Sequence, residues 1–87
     1  MSEQQTGEQS GEVLRRHLRI IEALLFASDV PLRPSDFAPY LGEGVDIPGL
    51  LLRLQQVYAE RGVNLVRRGE GWAFRTAEDL GFLLRRE

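Results

Sequence analysis

Apolar residues recur at helical spacing between residues 12 and 28, and this is the strongest pattern in the chain. At steps of about 100° per residue, one tight stripe and a flanking row fall on the same side of a helix. The stripe comprises Leu14, Leu18, Ile21 and Leu25, and the row comprises Val13, Ile20, Leu24 and Ala27. The apolar arc is about half the circumference, whereas a surface helix needs only about 100°. The pattern predicts a helix covered from two directions, by two layers of its own fold or by its fold and a partner.

Two shorter helices are predicted after this one. The second, within residues 32–41, has Pro34 in its first turn, and Pro39 is expected to keep it short or kinked because proline lacks a backbone donor. The third begins after Asp46, a good N-cap, and ends near Gly62. Its apolar stripe comprises Ile47, Leu50, Leu51, Leu54, Val57 and Tyr58. The second and third helices are close enough in sequence to form a helix-turn-helix.

After the third helix, the spacing of apolar residues changes from helical to alternating, which predicts a β-hairpin. Val63 and Leu65 alternate with other residues before a glycine-containing turn, and Trp72 and Phe74 do so after it. If these four share a face, the turn has an even number of residues, because a slip of one residue flips a strand. Glutamate suits the positive-φ positions of a two-residue turn poorly, so the prediction is a four-residue loop at residues 68–71.

The two ends of the chain complete the predicted architecture. Thr76 is a candidate N-cap for a last helix, with Glu78 and Asp79 in its first turn. The apolar residues of that helix are Leu80, Phe82, Leu83 and Leu84. Residues 1–11 are polar and aperiodic, and are expected to be a disordered leader. Residues 12–87 are predicted to be one α+β winged helix-turn-helix domain with three helices, a two-stranded wing and a closing C-terminal helix.

Composition narrows the class of protein. The 87 residues suffice for a single small core, and no apolar run approaches the ~18 residues of a membrane span. The chain opens on polar residues rather than on a basic and then apolar signal, so we expect a cytoplasmic protein without membrane contact. The absence of cysteine excludes disulfides, thiolate metal sites and thiol nucleophiles. A net charge of −2 predicts no general affinity for nucleic acid.

Candidate catalytic chemistry is absent from the sequence. His17 is the single histidine, and it lies on the first helix without partners for a triad or a metal cluster. Glu78 and Asp79 are neighbours that point in different directions on a helix, and their place in its first turn explains them. The turn glycines match no phosphate-binding loop with its lysine. We therefore predict a protein that is not an enzyme and has no catalytic residue, metal or cofactor.

Many winged helices bind DNA through the third helix, which makes that helix the candidate for such a role here. Its outward residues include Arg53, Gln55 and Gln56, but a helix that reads the major groove normally has several cations beside such glutamines. The candidate DNA contacts are Arg53 in the third helix and Arg67 and Arg68 in the wing. These three residues predict weak or indirect binding to DNA. Four apolar residues exceed the needs of the core and instead indicate a protein interface. These are Ile20, Leu24, Phe26 and Leu52.

Several segments together resemble the amino-terminal domain of the segregation and condensation protein B (ScpB) family. The matching segments are RIIEALLFA at residues 19–27, PL at 31–32, residues 58–61 and 63–66, and GWAFRT at 71–76. The combination of the first-helix motif with the glycine-aromatic wing is fairly specific, whereas either motif alone is weak. The chain departs from the family pattern at Arg33, Pro34 and Pro39, where helix-favouring acidic residues are usual.

The resemblance implies an adaptor rather than a regulator. The family has two winged-helix domains in tandem, self-associates through the first, and binds the kleisin subunit ScpA. Through the kleisin it joins the structural-maintenance-of-chromosomes (SMC) ATPase in chromosome condensation and segregation, at the nucleoid in the cytoplasm. The second domain is not within these residues, so the chain is a fragment or that half is absent. The expected function is that of a non-catalytic, homodimeric adaptor of the SMC condensin-like complex; the alternative is a DNA-binding transcriptional regulator.

Overall fold

The computed structural model describes the backbone of residues 2–84 and the side chains of residues 11–84. Three α-helices, a two-stranded antiparallel sheet and a closing 3₁₀ helix follow one another within that range. The elements are α1 (Ser2–Ala27), α2 (Pro34–Leu41), α3 (Ile47–Val57), β1 (Val63–Arg68), β2 (Gly71–Thr76) and the 3₁₀ helix (Glu78–Leu84). This order is the α+β winged helix predicted from the sequence. None of the described helices is long and apolar enough to cross a membrane.

Helix α1 begins at Ser2, well before the start predicted near Glu12, and ends at Ala27 close to the predicted end. Glutamate and glutamine are frequent in its first turns, and their high helix propensity lets the backbone remain helical without an apolar face. Met1 and the side chains of residues 2–10 lie outside the described residues. The disordered leader at residues 1–11 and the domain boundary at residue 12 therefore stay predictions.

The core lies where α1, α2 and α3 meet the inner face of the hairpin. The side chains of Ile21, Phe37, Leu51 and Leu65 are fully buried, and each comes from a different element. Leu14 and Leu18 pack against this cluster from α1, as their place on the predicted stripe requires. Each fully buried side chain of this size contributes about 1.5–3 kcal/mol relative to exposure. The four elements are therefore held together by one shared apolar interior.

Helices α2 and α3 form the helix-turn-helix, and each has a local reason to begin where it does. The backbone N–H of Arg33 donates to Oδ2 of Asp36 at 2.8 Å, while Pro34 occupies the first turn of α2. Asp46 caps α3 by accepting from the backbone N–H of Gly49 at 3.1 Å, as predicted. With only eight residues, α2 is short, also as predicted. Helix α3 ends at Val57, before the predicted end near Gly62.

The hairpin has the predicted face and a different turn. Leu65 lies opposite Phe74, so the apolar residues of the two strands share the inner face. Arg68 lies opposite Gly71, which leaves only Gly69 and Glu70 between the strands. The predicted four-residue loop is therefore wrong. Gly69 has φ +61°, and no described non-glycine residue has a positive φ. In this turn glycine therefore takes the one left-handed position, and Glu70 follows it without backbone strain.

A second connection fastens the wing to the link between α1 and α2. Leu32 and Trp72 exchange two backbone hydrogen bonds, of 2.9 and 2.7 Å, in an isolated antiparallel bridge. Gly71 permits this approach, because a Cβ there would lie 2.8 Å from Cβ of Pro31 and 3.1 Å from its carbonyl carbon. The sequence pattern did not predict this contact. It accounts for glycine at position 71, where a side chain would meet Pro31.

The predicted closing helix after β2 is present as a 3₁₀ helix. The backbone N–H of Ala77, just before this helix, donates to the Gly62 carbonyl at 2.8 Å, and the Ala77 side chain is buried. Within Glu78–Leu84 no residue is buried. The side chains of Phe82, Leu83 and Leu84 are exposed, whereas Leu80 is half-buried.

Candidate functional site

The structure does not bring the four predicted interface residues onto one surface. Phe26 is 84% exposed and Leu52 is 54% exposed, so both are available to a partner. Ile20 and Leu24 are partly buried and pack against the core. Leu24 lines a cleft beside α2, whereas Phe26 lines a groove on the side of α1 that faces the wing. Of the four residues, Phe26 therefore has the strongest structural support as an interface residue.

The groove beside Phe26, named here the α1–wing groove, has a volume of about 460 Å³. Helix α1 forms one wall, and the end of α3 with the two strands forms the other. Its lining residues are Arg19, Glu22, Ala23, Phe26, Tyr58, Val63 and Phe74. Val63 is 43% exposed, and the Tyr58 and Phe74 rings contact each other with centroids 4.9 Å apart. The groove is thus an open, mainly apolar surface that four elements position.

A partly buried hydrogen bond between two side chains crosses the groove. The hydroxyl of Tyr58 donates to Oε2 of Glu22, which links the end of α3 to α1. This bond raises the pKa of Tyr58 above its ordinary value of 10.0; burial and the negative charge of Glu22 add to the rise, and Arg61 opposes it. The Tyr58 hydroxyl therefore remains protonated at neutral pH and holds the Glu22 carboxylate in place.

One guanidinium group lines the same groove, and a second lies over the Tyr58 ring. Arg19 lines the groove from α1, and the Arg61 guanidinium lies 5.2 Å from the centre of the Tyr58 ring. Within residues 11–84, no carboxylate oxygen lies within 4.0 Å of either guanidinium. A hydrogen bond from the neutral Tyr58 hydroxyl does not neutralise the Glu22 carboxylate, so the groove lining carries one guanidinium and one carboxylate.

A second cleft lies next to the groove, beyond the end of α1. Phe26 and Phe74 line it with Val30 and Pro31, but Asp29 and Arg68 line it as well, so this cleft is both apolar and charged. Val30 is exposed as well. Scattered exposed apolar residues are ordinary on a protein surface, but a contiguous patch around an aromatic ring is typical of an interaction site.

The candidate DNA contacts are exposed but dispersed. Arg53 is the one cation of α3, and the side-chain amide of Gln55 donates to the Leu65 carbonyl at 3.0 Å instead of facing outward. The Arg67 guanidinium lies over the Trp72 ring, 5.7 Å from its centre. Arg68 is exposed near the wing tip, where Glu70 forms an ion pair of 3.8 Å with Arg33. Such an arrangement lacks the row of cations that follows a DNA backbone.

His17, the single histidine of the sequence, is half-buried on α1. Among the described side chains of residues 11–84, no group of three or more His, Asp or Glu residues is placed to hold a metal ion. Within residues 11–84, Tyr58 and Glu22 are the only two side chains distant in sequence that hydrogen-bond to each other. Their bond joins the end of α3 to α1.

Sequence reasoning missed most of the groove. Tyr58, Val63 and Phe74 follow the helical or alternating pattern of core positions, so the pattern assigns them to the interior. Tyr58 and Phe74 do pack partly against the core, while Val63 is exposed. Their position at the edge of a groove depends on the tertiary arrangement, which periodicity does not report. The signal that could have found the groove is Phe26, an aromatic residue among the charged positions of α1.

These features define a winged-helix domain with an open, mainly apolar groove beside its first helix. The family model for "Segregation and condensation complex subunit ScpB" matches residues 19–87, and the chain belongs to that family of non-catalytic complex subunits. The match begins at Arg19, so it includes the α1 wall of the groove and the whole wing. This finding confirms the resemblance drawn from the sequence.

A solved structure confirms the fold. The crystal structure of a conserved hypothetical protein from Chlorobium tepidum is similar to this chain, with a TM-score of 0.73 at 21% sequence identity. The similarity covers 86% of this chain and 49% of the other, so the chain spans about half the length of that protein. No curated protein sequence gives a significant match.

Proposed function

We propose that this domain is a non-catalytic adaptor of the bacterial SMC condensin-like complex, acting in chromosome condensation and segregation through self-association and partnership with the kleisin ScpA. The family match over residues 19–87 carries the proposal. The apolar surface around Phe26 supports it, because an adaptor needs a face for another protein and has no need of reactive groups. The proposed place of action is the cytoplasm, at the nucleoid.

The proposed mechanism is geometric. Two copies held by their winged-helix domains would restrict how the kleisin bridges the ATPase heads. Rigid elements suit this role, and the wing is fastened to the α1–α2 link by the two Leu32–Trp72 hydrogen bonds. The self-association surface predicted from Ile20, Leu24, Phe26 and Leu52 remains a proposal, in which Phe26 and Leu52 are the residues to change first. Ile20 and Leu24 pack partly against the core, so charged substitutions there would also destabilise the fold.

A duplex-binding experiment separates the adaptor from a transcriptional regulator. The full chain is titrated into a labelled mixed-sequence duplex at low and moderate salt. Arg53, Arg67 and Arg68 are too dispersed to neutralise many phosphates, so we expect weak binding at low salt and none at moderate salt. Binding on the order of 10⁻⁸ M with a steep salt dependence, weakened by Arg53→Gln or Arg68→Gln, would favour the regulator instead.

Sedimentation of the chain alone tests self-association. We expect a monomer–dimer equilibrium that Phe26→Ser with Leu52→Ser shifts toward monomer, without loss of helical signal in circular dichroism. Both residues are exposed, so the double change leaves the core intact. A wild-type chain that stays monomeric at millimolar concentration would remove self-association from the proposal and leave the kleisin partnership to be tested separately.

A further inference from the structure

We draw no further inference here: the strongest candidate, the open and mainly apolar α1–wing groove between Phe26 on α1 and Val63 and Phe74 on the hairpin, carries one guanidinium and one carboxylate in its lining, and nothing in the structure shows what covers it.

Discussion

The contact between Gly71 and Pro31 can be tested by adding one methyl group. In Gly71→Ala the new Cβ would lie 2.8 Å from Cβ of Pro31, 3.1 Å from the Pro31 carbonyl carbon and 3.3 Å from the Leu32 nitrogen. Two of the three atoms are backbone and the third belongs to a rigid ring, so none can rotate away. The α1–α2 link has to move away from β2.

The expected cost follows from what that movement disturbs. Overpacking of this kind costs about 1–3 kcal/mol. The link also carries the two hydrogen bonds between Leu32 and Trp72, each worth about 0.5–1.5 kcal/mol, and a shift would lengthen both. We expect the free energy of unfolding to fall by about 3 kcal/mol in total. For a domain of this size that lowers Tm by about 12–24 °C.

Thermal unfolding is followed by the fluorescence of Trp72, the only tryptophan, and by far-UV circular dichroism. The matched control is Gly81→Ala, where nothing lies within 4 Å of the new methyl group and φ is not positive; the expected change there is within about 0.5 kcal/mol. Gly69→Ala isolates backbone strain without a clash, since its φ is +61° and its surroundings are open, and should cost about 1–2 kcal/mol. A Gly71→Ala protein that melts with the Gly81→Ala control would refute the close approach of the link to the wing.

Two further predictions concern contacts that fix the helices. Asp46→Ala removes the N-cap of α3 and should lower the free energy of unfolding by about 1 kcal/mol in urea titrations, whereas Asp46→Asn should stay near wild type; equal losses in both would contradict the capping role. Tyr58→Phe removes the hydrogen bond to Glu22 and should cost about 0.5–1.5 kcal/mol at neutral pH. Because the folded pKa of Tyr58 is raised above 10.0, the bond contributes fully below pH 10 and is lost as pH rises through the folded pKa. The wild type should therefore lose stability above about pH 10 more steeply than Tyr58→Phe, and parallel curves would count against the assignment.

The sequence pattern predicted the scaffold well because burial follows periodicity. Ile21 and Leu25 lie on the predicted stripe of α1 and are buried, and Leu65 faces Phe74 as the alternation requires. The hairpin turn was predicted wrongly because only a turn with two positive-φ residues was weighed. Gly69 followed by a glutamate of ordinary φ satisfies the mirror-image turn that needs a single glycine.

Periodicity was less informative about surfaces, since it reports where apolar residues point and not whether another element covers them. Tyr40 lies at helical spacing from Phe37 in α2, yet Tyr40 is exposed whereas Phe37 and Leu41 are buried. Leu24 and Phe26 were grouped as one interface, but they line different clefts on two sides of α1. The α1–wing groove depends on tertiary distances, and these could not be inferred from spacing along the chain.

The most direct test of the adaptor account is a calorimetric titration of the purified kleisin into the full chain, repeated with an excess of duplex DNA. The account predicts a saturable complex with Kd in the micromolar range or tighter, unchanged by the DNA, because recognition uses the apolar surface around Phe26. No heat with the kleisin, combined with tight and salt-sensitive binding to the duplex, would contradict it.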